Sequence, residues 1–247
     1  GTSVTVNEDG SLPLTGATAS DVDSTDILSA TISVGHGTLT SLATAGQLAQ
    51  LTNATGNGSG LITITGSVSA VNAVVTAGVT YAPAANFNGP DQLTLAVSDN
   101  HGGSDSKQVG ITVTPVNDAP AGADKTVTTA EDTAYVFQAT NFGFSDANDN
   151  PAANALLAVK ITTVPGAGTL TDNGIAVAAG QTVSVADINS GLLQFTPAAN
   201  ASGAGYASFT FQVQDTGGTA NGGIDLDASP NTLTINVSAV NDAPVVS

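Results

Sequence analysis

The sequence predicts an all-β chain: two tandem β-sandwich domains set end to end. Three observations carry this. The string Val116-Asn117-Asp118-Ala119-Pro120 returns letter for letter as Val240-Asn241-Asp242-Ala243-Pro244, a repeat at domain-sized spacing whose copies each close one unit. Apolar residues alternate with polar ones in short runs separated by turn clusters. The apolar set is Val, Ile, Leu and Ala with abundant Thr, 28 Gly and 10 Pro, a mixture that favours strands joined by turns. The boundaries predicted are 1–117 and 118–247, each long enough to bury its own core.

In chain order, Thr2 to Val6 puts Val4 and Val6 on one face, a first strand. Asn7-Glu8-Asp9-Gly10 is an acidic turn. Leu12 and Leu14 flank Pro13, which suits an edge strand because proline cannot donate to a ladder. Asp21-Val22-Asp23-Ser24-Thr25-Asp26 is an acidic loop. Leu28, Ala30, Ile32 and Val34 alternate as a half-buried strand, and Gly35-His36-Gly37 turns into a short strand, Thr38 to Leu42. After a Gly/Asn/Ser loop at 53–60, residues 61–65 read as strand. Val68, Val71, Val74 and Val75 have helical spacing, and a short helix is expected near Ser69–Ala77. Val79 to Ala82 resumes as strand, followed by the turn Pro83 to Asp91. Leu93, Leu95 and Val97, then Val109, Ile111 and Val113, complete the unit.

The second unit repeats this order. Ala130-Glu131-Asp132 matches Asn7-Glu8-Asp9, and Asp146-Ala147-Asn148-Asp149 matches Asp21 to Ser24. Gly168-Thr169-Leu170 matches Gly37-Thr38-Leu39. Phe195 to Asn200 matches Tyr81 to Asn86, and Val213-Gln214-Asp215 matches Val97-Ser98-Asp99. Leu233, Ile235 and Val237 form the last strand, after an added loop, Thr216 to Asn231, that holds Asp225 and Asp227. Seven or eight short strands per unit read as a sandwich, with Tyr81, Phe87, Phe195, Phe209 and Phe211 as core residues.

Twenty acidic residues face three lysines and no arginine, a net charge of −17. Nucleic acid and anionic membrane surfaces need basic patches, so neither is expected as a partner. Positive charge has to come from outside. A divalent cation is one source, and acidity that only keeps a secreted protein soluble is the other reading. Cysteine is absent, which excludes disulfides, thiolate zinc sites and thiol nucleophiles. No apolar run approaches the roughly 20 residues that span a bilayer. No signal-peptide pattern opens the chain, which reads as a segment of something longer.

The repeated pentapeptide suits a junction. Pro120 fixes its own φ and ends strand pairing, and it biases Ala119 to extended geometry. Asn117 and Asp118 supply oxygens there. A stiff, oxygen-rich linker fits a hard cation, and equally fits a plain proline-terminated connection.

An acidic Glu, then Asp-x-Asp/Asn, then an Asp closing the sixth strand, then Asn-Asp-x-Pro, is an order that resembles the cadherin repeat. With the Phe195-Thr196-Pro197-Ala198-Ala199-Asn200 phrase and the Val240 to Pro244 string, the chain is similar to the cadherin-like tandem domains of large bacterial surface proteins, including RTX-type adhesins. The resemblance covers essentially the whole chain. It implies an Ig-like, Greek-key β-sandwich with termini at opposite ends and Ca2+ between successive domains. Carried over by position, Glu8, Asn117, Asp118, Asp146, Asn148, Asn154 and Asp215 form the interdomain metal set, with one or two ions. Asp21, Asp23 and Asp99, and at the other end Glu131, Asn200 and Asp242, form outer half-sites toward neighbouring repeats of the same polypeptide. The chain lacks the family's Asp-Arg-Glu before the sixth strand, which leaves Asp91 uncertain as a ligand; Asp225 and Asp227 are equally so.

The implied function is that of calcium-rigidified extender repeats of a secreted, cell-surface bacterial adhesin, holding an adhesive region away from the cell. The alternative is a calcium-dependent module that binds a glycan or another surface, for which the loop bearing Asp225 and Asp227 is the candidate. No catalytic residues are expected. His36 and His101 lie in turns without counterparts in the second unit, and the paired carboxylates recur on loops, which suits ions better than one active site.

Overall fold

The computed structural model describes residues 3–23, 25–149 and 153–244. Thr2 and Ser24, placed above in the first strand and the acidic loop, lie outside them. The chain divides into two compact units, Gly1–Val116 and Asn117–Ser247.

The first unit holds β1 Ser3–Asn7, β2 Leu12–Leu14, β3 Ile27–Ser33, β4 Gly37–Ser41, α1 Ala45–Leu48, β5 Asn53–Thr55, β6 Leu61–Ser67, α2 Val68–Ala77, β7 Val79–Pro83, β8 Gly89–Ser98 and β9 Ser104–Thr114. One sheet runs β1-β9-β8-β3-β6-β5 and the other β2-β7-β4. Strand β1 pairs parallel to β9, and the other pairings are antiparallel. In β3 the alternation holds: Leu28, Ala30 and Ile32 face the core. In β6 it is Ile62 and Ile64 that are buried, while Leu61 is half exposed.

The second unit repeats the plan with β10 Lys125–Ala130, β11 Tyr135–Val136, β12 Leu156–Ile161, β13 Thr169–Asp172, β14 Ile175–Ala176, β15 Thr182–Ser184, α3 Val185–Asn189, β16 Leu193–Thr196, β17 Gly203–Asp215 and β18 Asn231–Ser238. Its sheets run β10-β18-β17-β12-β15 and β11-β16-β13-β14, again with a parallel first pair, β10 with β18. Both units are therefore all-β sandwiches. The described residues give each of them more strands than the sequence predicts, because short pieces such as β5 and β14 are too brief to show an alternation.

The sequence predicts at most one short helix, near Ser69–Ala77, and the short helices α1 and α3 are additional to it; α2 itself starts one residue earlier than expected. Ser67 caps it by accepting the Ala70 N–H, and Val71, Val74 and Val75 pack inward. It stops at Gly78, whose φ of 86° carries the chain straight into β7. A Cβ there would collide with the Leu14 carbonyl, so glycine is required. Of the expected core aromatics, Tyr81, Phe195, Phe209 and Phe211 are buried. Phe87 is only partly buried and stacks on His36 at 4.1 Å.

Candidate metal centre in the acidic loops

In the second unit, one carboxylate oxygen each from Asp146, Asp149 and Asp215 lies within 4.8 Å of the others. Asp215 closes the long strand β17 and is fully buried. Asp146 and Asp149 come from the loop before β12. The linker joins them. Asn117 donates through Nδ2 to Asp215 Oδ1 at 3.1 Å and to the Ile224 carbonyl at 2.8 Å. The Asp118 N–H donates to Asp149 Oδ1 at 3.1 Å. Asn154 ties the loop together: its N–H meets Asp146 Oδ2 at 2.6 Å, and its Nδ2 meets Asp149 Oδ2 at 2.7 Å and Asn117 Oδ1 at 2.6 Å.

Close approach of the linker depends on Gly217. A Cβ at that position would overlap the Asn117 Oδ1, while the Gly217 N–H donates to Asp215 Oδ1 at 2.8 Å.

The electrostatics of this cluster are unfavourable on their own. Burial, with Asp149 and Asp215 close by, raises the Asp146 pKa above the ordinary carboxylate range. Burial, with Asp149 and Asp225 nearby, raises that of Asp215. Asp146 Oδ1 is buried and has no hydrogen-bond partner. An orphaned acceptor among three converging carboxylates is what a cation resolves, and a donor set of carboxylates and carboxamides suits calcium or another hard ion.

The first unit has the equivalent cluster: Asp21, Asp26 and Asp99, oxygens again within 4.8 Å. Asp99 accepts the N–H groups of His101 and Gly103 at 2.7 and 2.8 Å, which lower its pKa. Asp21 accepts the Asp23 N–H at 2.9 Å. His101 Nδ1 sits 3.0 Å from Asp26, and that hydrogen bond raises the histidine's pKa.

Two members of the clusters lie outside the sequence-derived sets. Asp149 and Asp26 are in them, while Asn148 and Asp23 are exposed at the loop surface. The loop geometry turns the third carboxylate inward at these places, and the Asp-x-Asp/Asn pattern does not specify which one. Asp26 is buried and follows the pattern by three residues, so its position just before β3 was the available signal.

The remaining candidates have other placements. Glu8 and Glu131 are both buried, and each holds the backbone of its own unit's last segment. Glu8 Oε1 accepts the Val116 N–H at 2.7 Å, and Glu131 Oε1 the Val240 N–H at 2.6 Å. Glu8 Oε2 also accepts from Asn88 at 3.1 Å. Asp91 is engaged by four donors: the N–H groups of Gly35, His36 and Gln92, and the Tyr81 hydroxyl at 2.8 Å. Burial would raise its pKa, but the donors outweigh burial and lower it. Asp227 is buried and accepts from Gly122, Ser229 and Asn231, which pins the added loop. Asp225 accepts from Gln214 at 2.9 Å. Asp242 is exposed, and the Asn200 N–H donates to Asp132 at 3.2 Å.

Among the described residues, no helix is long and apolar enough to cross a membrane. No curated protein sequence matches the chain. Among solved structures, human protocadherin-24 EC1-2 aligns at 17% identity over 96% of this chain and 95% of that one, with a TM-score of 0.42. Human mucin-like protocadherin EC1-2 aligns at 15% identity over 97% and 96%, with a TM-score of 0.41. An endo-fucoidan hydrolase from glycoside hydrolase family 107 aligns at 18% identity and a TM-score of 0.27, and the chain spans only 24% of that protein's length. The family described as bacterial Ig domain matches residues 43–112 and again 117–227. The chain therefore belongs to the bacterial Ig domain family, carrying two tandem copies of an Ig-like sandwich.

Proposed function

We propose that this chain is a pair of calcium-rigidified spacer repeats from a secreted bacterial surface protein, serving adhesion by position and not by catalysis. The observation that carries the reading is the buried, unpartnered Asp146 Oδ1 in a three-carboxylate cluster to which the linker residues Asn117 and Asp118 are hydrogen-bonded. Asp146, Asp149 and Asp215 would hold the ion, with the carboxamide oxygens of Asn117 and Asn154 available to it. Bound calcium supplies two positive charges, cancelling repulsion that reaches about 4 kcal/mol for two charges 4 Å apart at an effective dielectric near 20. It would thereby fasten the linker to the second sandwich. Membership in a bacterial Ig family supports an extracellular, repeat-type role.

The alternative, a calcium-dependent glycan module on the loop bearing Asp225 and Asp227, is less favoured because the Asp227 carboxylate is already occupied in holding that loop. Small-angle scattering of the chain in chelator and in millimolar calcium tests the spacer. A narrower distribution of dimensions with calcium supports it. The same distribution in both would remove the rigidifying role.

A further inference from the structure

Four aromatic rings at the centre of the second unit have small or aliphatic counterparts in the first. Phe209 pairs with Leu233 and Phe211 with Ile161, as Leu93 pairs with Val109 and Leu95 with Ile32. Tyr135 pairs with Phe195 as Leu12 pairs with Tyr81, so Phe137 corresponds to Leu14. Phe142 stands four residues before Asp146, as Ala17 does before Asp21. In the second unit the four rings are buried and interlock. Phe137 meets Phe209 edge-on at 5.6 Å, and Phe142 meets Phe211 edge-on at 5.0 Å. In the first unit the four counterparts, Leu14, Ala17, Leu93 and Leu95, all line one cavity of about 310 Å³ between the sheets.

No charged side chain lines this cavity, and Thr15 supplies its one side-chain hydroxyl. It opens to solvent at one side, where Pro13, Thr15 and Ala17 are exposed. Small-molecule sites are mostly apolar clefts that begin near 300 Å³. At these four positions the sister unit carries rings, and the leucines and the alanine of the first unit are smaller. At the adjoining surface Asp105 lies beside Lys107, which favours neither an anion nor a cation.

We propose that the first unit binds an uncharged aryl compound of one or two fused rings in this cleft, the ligand filling the space left where Leu14, Ala17, Leu93 and Leu95 stand in place of four phenylalanines. The site is independent of the acidic clusters and of calcium.

Indole is a suitable probe, because the chain contains no tryptophan and indole emission reports the ligand alone. Titration of the whole chain with indole, in chelator and in calcium, is expected to give a saturable blue shift. Methyl resonances of Leu14, Leu93, Leu95 and Val109 should move, and those of the second unit's core should not. Leu95→Phe restores one ring; it is expected to raise the first unit's melting temperature and to weaken indole binding at least tenfold. Shifts spread over both units, or indole binding unchanged in Leu95→Phe, would overturn the proposal. So would a Leu95→Phe variant that melts lower, which would show that the space is not there to fill. Preferential binding of linear octane, or of benzoate, would contradict the assigned ligand class.

Discussion

The side-chain amide of Asn117 donates to the carboxylate of Asp215, 3.1 Å away and 98 residues further along the chain. A linker residue is thereby held to the end of a core strand. The bond exists because Gly217 leaves the space: any Cβ there would occupy the position of the Asn117 Oδ1. Gly217→Ala is predicted to displace Asn117 and to cost the second unit about 1–2 kcal/mol, with its core intact. Urea unfolding measures the cost. An unchanged midpoint together with unchanged Asn117 side-chain amide signals would refute the steric account.

Calcium is predicted to raise the melting temperature. Sites of this kind bind at about 10⁻⁴ to 10⁻³ M, and free ion at 100-fold above the dissociation constant stabilises the native state by roughly 2.7 kcal/mol. Calorimetry in calcium and in chelator reads this. Superimposable curves would mean that the clusters do not hold a structural ion.

The pH response is predicted to change with calcium. The Asp146 and Asp215 pKa values are raised by burial and by neighbouring carboxylates. A group whose folded pKa lies above its unfolded value near 3.9 adds stability that is full below that value and is lost as pH rises through the folded one. In chelator the second unit should therefore gain stability as pH falls from neutrality toward the carboxylate range. In calcium it should lose stability over the same interval, because protons compete with the ion. Denaturant midpoints across that range, with and without calcium, check both signs; parallel curves would contradict the prediction.

Asp91 behaves oppositely. Its lowered pKa means stability that is present above about pH 3.9 and lost as pH falls through the depressed value. Asp91→Asn removes one acceptor oxygen from a carboxylate serving four donors, one of them the Tyr81 hydroxyl. A loss of about 2–3 kcal/mol from the first unit is expected, with no change in the calcium response. A calcium response reduced in Asp91→Asn would make this residue a ligand after all.

Much of the architecture was legible in the chain. The pentapeptide repeat marked two units, and period-2 runs such as Leu28-Ala30-Ile32 gave strands with the correct face inward. For residues 61–65 the strand was legible, and its buried face is that of Ile62 and Ile64, with Leu61 half exposed. The acidic loops were visible as loops, but the member that turns inward was not. Asp149 and Asp26 depend on loop backbone geometry that no periodicity encodes. Glu8 and Glu131 stand out as acidic residues in the sequence, yet their hydrogen bonds to Val116 and Val240 become evident only when the first strand lies beside the last. The cavity of the first unit was invisible for a related reason: Leu and Phe read alike in a hydrophobic pattern and differ only in the space they fill.

The most direct test of the calcium centre is a calcium titration read on the backbone amide signals of Asp118, Asn154 and Gly217. Their N–H groups donate to Asp149, Asp146 and Asp215 respectively, so each reports one carboxylate. The account predicts that all three shift together, saturating with one dissociation constant at about 10⁻⁴ to 10⁻³ M, and that Asp146→Asn weakens binding at least tenfold without unfolding the unit. Signals that stay fixed through about 10 mM calcium, well above that range, or that shift identically in Asp146→Asn, would contradict it.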